Sequence, residues 1–235
     1  METVNKYELY KIKFHQITMM KKRGYLLDNT EENLLNRPPI ESIELFDSVY
    51  YRSAIVKNEI IESTLSKEYI HTKRPQDIIK VFYINFKGTG KTAEKILQDQ
   101  KRQIIDMISN QPIRHVILIS RVEFKTFADL LDIADYYIEH FLYSELLYDP
   151  TVHFYQSEYK ILNTSESSEY LKHRKLDANN LKRICIDDPP IKFLGGRFGQ
   201  VVKINRHLKH MAGVSIGYDH KIITNESIYH EQKKQ

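Results

Sequence analysis

The stretch Asp188-Pro189-Pro190-Ile191-Lys192-Phe193-Leu194-Gly195-Gly196-Arg197-Phe198-Gly199-Gln200-Val201-Val202-Lys203-Ile204 constrains the chain more than any other. It carries no nucleophile, no acid/base pair and no metal-ligand cluster. What it encodes is backbone geometry. Pro189 fixes φ for a turn or a helix start, and Gly195 and Gly199 permit the positive φ values that tight turns need. From Gln200 to Asn205 the chain is rich in β-branched residues and reads as a strand. So much turn-and-strand specification without catalytic chemistry points to a fitted part, not an enzyme.

Composition narrows the setting. At 235 residues the chain suits one large domain or two smaller ones, and 41% apolar residues support a core. A net charge of only +4 argues against a protein whose main task is clamping nucleic acid unaided. Cys185, the single cysteine, cannot form an internal disulfide, so a reducing, intracellular compartment is expected. No apolar run approaches the ~20 residues of a membrane span, and the charged N-terminal residues Glu2, Lys6, Glu8, Lys11 and Lys13 lack the apolar run of a signal peptide. No membrane partner is expected.

Along the chain, residues 5–23 read as a helix with Tyr7, Tyr10, Phe14 and Ile17 on one face. Lys21, Lys22 and Arg23 form a charge cluster in its last turn, and Gly24 offers a stop. Thr30 caps a predicted short helix through Leu35 that Pro38-Pro39 ends. Tyr50–Val56 and Ile78–Phe86 read as strands joined by a polar linker around Ser63–Gln76. Thr92 caps a predicted helix to about Asn110, and Thr126–Ala134 is another. Val116–Ser120 reads as a strand buried on both faces. The interleaving predicts an α/β (α+β overall) architecture with a boundary near Asp149-Pro150. The expected organisation is 1–149 and 150–225, with a mobile tail at 226–235.

Several motifs invite sharper readings. Lys87-Gly88-Thr89-Gly90-Lys91-Thr92 resembles a phosphate-binding loop, but Asn85 stands where the first glycine is required. A strand-to-helix turn capped by Thr92 is the preferred reading. Glu123-Phe124-Lys125 follows an apolar strand like the end of a metal-dependent nuclease motif, with Asp47 as the only tempting second carboxylate. The alternative to a fitted part is therefore a Mg-dependent nuclease using Glu123 and Lys125, or a stand-alone transcription scaffold. The ten histidines show no zinc spacing. His15 and His140 are expected on helical surfaces, and Cys185 in a small buried apolar role. No metal or cofactor is called for.

The string D-P-x5-G-x3-G-Q-V-V-K-I from Asp188 to Ile204 resembles the assembly domain of the fifth-largest subunit of eukaryotic RNA polymerases, a family whose archaeal members have only that domain. Glu169–Ile184 resembles the preceding family segment, with Lys182 replacing a proline. Met211-Ala212-Gly213, with Tyr218, Ile222 and Ile223 beyond it, resembles the closing strand, with Val214 replacing an arginine. Met20–Tyr25 and Arg114–Ile119 resemble the end of the first helix and the apolar strand of the N-terminal jaw found in the two-domain eukaryotic or large-DNA-virus form, and Tyr137–Phe141 with Glu145–Leu147 resembles its approach to the second domain. The family's V-P-x-H junction is replaced by Phe154–Glu158.

The resemblance implies a jaw over 1–149 with a nuclease-like α/β core lacking an active site, and a small mixed-sheet assembly domain with short helices over 150–225. It implies a non-catalytic subunit of a DNA-dependent RNA polymerase that docks on the largest subunit. Asp188, Pro189, Gly195, Gly199, Gln200, Val201, Val202, Lys203, Ile204 and Arg206 are the expected assembly residues, with Lys203 and Arg206 facing acidic groups. Arg121, Lys125 and Thr126 are placed near downstream duplex DNA, where basic and hydroxyl groups serve non-specific phosphate contact. The expected partners are other polymerase subunits, not a second copy of the chain. The expected location is the nucleus for a cellular protein, or a viral factory and virion for a viral one.

Overall fold

The structure, a computed structural model, describes residues 5–57, 61–84, 113–121, 136–152, 157–206 and 217–225. The chain divides into two compact units, Met1–Tyr148 and Asp149–Gln235. The architecture is mixed, with helices and two four-stranded sheets.

In the first unit, α1 (Lys6–Lys22) starts at Asn5, whose side chain accepts from the Tyr7 N–H at 3.0 Å. It stops before Gly24, whose φ of +87° only glycine adopts without strain. Its buried face matches the expected one at Tyr10 and Ile17 but not at Tyr7. Leu9, Ile12, Lys13, Gln16, Ile17 and Met20 are buried, while Tyr7 is exposed. Two polar residues sit inside the stripe, so the apolar pattern is broken although the face is intact. The next helix, α2 (Asn29–Asn36), is capped by Asp28, not Thr30. The Glu31 N–H donates to Asp28 Oδ1 at 2.8 Å and the Asp28 N–H donates back to Glu31, a reciprocal capping box. Pro39 then opens α3 (Pro39–Phe46), where its missing N–H costs nothing.

The predicted strand at Tyr50–Val56 is helical instead: a wide turn at Asp47–Tyr51 leads into α4 (Arg52–Val56). Phe46, Tyr50 and Ala54 are all buried at successive four-residue steps, and this packing overrides the strand propensity of the local residues. The predicted polar linker is also structured. It contains the end of α5 (Ile61–Leu65), then β1 (Lys67–His71) and the start of β2 (Arg74–Ile84). On β1 only Tyr69 is buried, as suits an edge strand. With β3 (His115–Ser120) and β4 (Tyr137–Leu142) the sheet runs β1-β2-β3-β4; β1 is antiparallel to β2, and the others are parallel. Every residue of β3 is buried, matching the doubly covered strand expected there. His140 lies on β4 rather than on a helix, 2.7 Å from Ser120 Oγ. The predicted helices at Thr92–Asn110 and Thr126–Ala134 lie outside the described residues.

Among the described residues of this unit, two charge clusters are buried. Arg23 leaves the terminal cationic cluster to make two bonds to Glu139, at 2.9 and 2.7 Å, and His115 Nε2 lies 2.6 Å from the same carboxylate. The register sets Glu139 beside Ile117, on the row that runs from Lys67 through Val81. Lys13 Nζ donates to Gln16 Oε1 at 2.9 Å and to the Leu65 carbonyl at 3.1 Å, with Glu31 Oε1 at 3.6 Å. Tyr69 donates its hydroxyl to Glu31, and Lys67 reaches Glu31 at 2.7 Å and Asp28 at 2.6 Å.

The second unit holds β5 (Glu158–Ile161), α6 (Thr164–Arg174), β6 (Lys182–Cys185), α7 (Pro189–Phe193), β7 (Val201–Arg206) and β8 (Gly217–Thr224). Its sheet order is β5-β7-β8-β6. The sheet is antiparallel except where β6 runs parallel to β8. Ile184, Ile191, Val202, Ile204 and Ile223 form one core cluster, and Leu162, Leu181 and Val201 form another. Cys185 is only half-buried on β6, not a core residue. Among the described residues no helix is long and apolar enough to cross a membrane.

Candidate assembly surface

The Asp188–Arg206 stretch folds as a chain of constrained turns. Pro189 and Pro190 open α7, with Asp188 extended just before it at φ −57° and ψ 125°. Burial raises the Asp188 carboxyl above its ordinary pKa, against the opposing pull of the Ile191 N–H and Lys221.

α7 ends in a paired-bond reversal. The Gly196 N–H donates to the Ile191 carbonyl at 2.9 Å and the Gly195 N–H to Lys192 at 3.1 Å, with Gly195 at φ +72°. This satisfies two carbonyls that the helix end would otherwise leave orphaned. Gly196, which sequence reasoning passed over, is required for a different reason. A Cβ there would lie 2.6 Å from Ile191 Cγ2 and 2.8 Å from Ile223 Cδ1, inside the core. The only local signal was its doubling with Gly195; Ile191 comes from α7 itself, but Ile223 comes from β8.

The second turn is tied just as firmly. Gly199 takes φ +80° and donates its N–H to the Ile223 carbonyl at 2.9 Å. The Gln200 side chain accepts from the Arg197 N–H at 2.7 Å, while the Gln200 N–H donates to the Arg197 carbonyl at 3.1 Å. Beyond it, Val201, Val202 and Ile204 are buried and anchor β7 in the core. Lys203 Nζ sits 4.3 Å from the centre of the Tyr218 ring, and Arg206 reaches Asp219 Oδ2 at 3.2 Å. Both cations expected to face a partner thus already have companions within the unit.

Of the other motif candidates, the structure describes Arg121 and Asp47. Arg121 follows β3 with its guanidinium 3.9 Å from Glu8. Glu123, Lys125 and Thr126 lie outside the described residues, as do residues 87–92, expected to form a turn. Asp47, the tempting second carboxylate, is held by Lys6 at 3.3 Å and Arg52 at 2.8 Å. Among the described residues no group of three or more His, Cys, Asp or Glu side chains is placed to hold a metal.

Comparison with known proteins bears on the same stretch. The family model for RNA polymerase Rpb5, C-terminal domain, matches residues 148–220. The subunit RPABC1 of DNA-directed RNA polymerases I, II and III from Caenorhabditis elegans is 30% identical over 203 residues, covering 85% of this chain and 89% of the relative. Subunit 5A of DNA-directed RNA polymerase V from Arabidopsis thaliana is 25% identical over 190 residues, covering 80% and 77%. The Dictyostelium discoideum counterpart of the nematode subunit is 25% identical over 170 residues, covering 70% and 80%. With likeness extending through both compact units, the chain belongs to the Rpb5 family of RNA polymerase subunits.

Proposed function

We propose that the protein is a non-catalytic subunit of a multisubunit DNA-dependent RNA polymerase, held to the largest subunit by residues of its second unit. The observation that carries this reading is the extent of the nematode match, 85% of the chain, together with the rigid Asp188–Arg206 surface inside the matched C-terminal domain. A turn fixed in advance loses little entropy on docking, which favours a permanent interface. Asp188, Pro189, Gly195, Gly199 and Gln200 set its shape; Val201, Val202 and Ile204 hold β7 in register; Lys203 and Arg206 supply charge at its margin. The first unit acts as the jaw over residues 1–149, with Arg121, Lys125 and Thr126 near the phosphates of downstream duplex DNA. Nucleotide and catalytic Mg²⁺ belong to the larger subunits. Eukaryotic relatives from a nematode, a plant and a slime mould support action in the nucleus.

Gly199→Val tests the surface. Apart from its chain neighbours, no heavy atom lies within 4 Å of a Cβ at Gly199, so a side chain there starts in open space. It strains a backbone at φ +80°, which costs a β-branched residue about 1–2 kcal/mol or more and displaces the turn. The expected outcome is a folded protein, by thermal melt, that captures at least about tenfold less polymerase from cells, the equivalent of about 1.4 kcal/mol. Wild-type capture by a folded Gly199→Val protein would contradict the assigned surface.

A further inference from the structure

Phe198 lies at the tip of the second turn and is 67% exposed. A single exposed apolar side chain is ordinary on a protein surface. The backbone beneath this one is not. The Arg197 N–H is tied to the Gln200 side chain at 2.7 Å and the Arg197 carbonyl to the Gln200 N–H, while the Gly199 N–H is tied to β8 at 2.9 Å. Immediately upstream, Gly195 and Gly196 close α7 with two further bonds. The loop is therefore fixed on both sides of a side chain that contributes little to the core. Among the described residues, Phe198 belongs to neither of the two core clusters named above.

An aromatic ring carried on a fixed backbone is the physical profile of an interface anchor. Its backbone is set before binding, only two side-chain torsions remain to freeze, and its apolar area is large. We propose that Phe198 is the principal anchor of the assembly surface and inserts into an apolar pocket of the polymerase's largest subunit. This rests on the polymerase-subunit reading and adds to it the residue that supplies most of the affinity. Lys203 and Arg206, each already engaged by Tyr218 or Asp219, then tune the margin and do not hold the complex together.

The test uses the full chain, tagged and expressed in its source cells. One version carries a photo-crosslinking benzoylphenylalanine at position 198, and others carry Phe198→Ser or Phe198→Leu. The crosslink is expected on the largest polymerase subunit. Phe198→Ser, which alters an exposed side chain and leaves the melt unchanged, is expected to retain at least about tenfold less polymerase after a salt wash. Phe198→Leu, still apolar, is expected to fall between it and wild type. If wild type captures polymerase and Phe198→Ser holds it equally well, the anchor assignment is overturned and the subunit reading stands. A crosslink to nucleic acid or to another subunit overturns it likewise. Failure of wild type to capture polymerase overturns both.

Discussion

Glu139→Ala is expected to destabilise the first unit by about 3–5 kcal/mol, because it strips the anion from a buried guanidinium. The Arg23 and Glu139 side chains are only 4% and 9% exposed, and Arg23 makes two bonds to the carboxylate. Burial alone would raise the Glu139 pKa. The Arg23 charge and the bonds from His115 and Arg23 outweigh it and hold the carboxyl at about 2. A carboxyl depressed in the folded state adds stability that is complete above its ordinary value of 4.5 and is lost as pH falls toward 2. Urea unfolding at stepped pH should therefore show a wild-type advantage at neutral pH that shrinks through that window. An advantage that is absent at neutral pH, or unchanged at pH about 2, would remove the pair from the stability account.

Glu31→Ala is expected to cost a similar amount, whereas Lys13→Met should cost less than half as much. The asymmetry follows from who keeps a partner. Burial lowers the Lys13 pKa to about 8, against the opposing charge of Glu31. Remove Glu31 and the buried ammonium retains only neutral acceptors, while Tyr69 and the α2 capping box each lose a bond. Remove Lys13 and Glu31 is still held by Lys67 and Tyr69. Replacing a buried cation by an apolar chain of similar length is often close to neutral. The pH dependence has a definite sign. Because the folded-state pKa of Lys13 lies below its ordinary 10.5, the unfolded chain binds the extra proton between about 8 and 10.5. The Lys13 contribution to stability therefore rises with pH across that window. Denaturation of both variants at pH 7 and pH 10 checks this: Glu31→Ala should recover more on the alkaline side than Lys13→Met. Equal costs for the two, or no such recovery, would contradict the assignment.

These clusters also mark where the sequence was hard to read. The β3 run and the positive-φ sites at Gly24, Gly195 and Gly199 follow from local chemistry, and all were legible. Lys13 and Gln16 were not, because a residue type that normally seeks water is buried by partners from α2 and β1. The Asp28-to-Glu31 spacing did hold a capping-box signal, and Thr30 obscured it. Arg23 and Glu139 are separated by 116 residues, so no window could pair them. At Tyr50–Val56 strand-favouring side chains gave way to the buried Phe46, Tyr50 and Ala54 ridge. For the candidate surface, the family string located the turns. The collision that forbids a side chain at Gly196 depends on Ile223 of another strand and became visible only in three dimensions.

Assembly into a polymerase is the central claim. Its most direct measurement is gentle affinity purification of the tagged protein from its native source, with stoichiometry by quantitative mass spectrometry. Two very large polymerase subunits recovered at equal stoichiometry with it are the predicted result. Recovery of the protein alone, or with unrelated partners only, would contradict the claim.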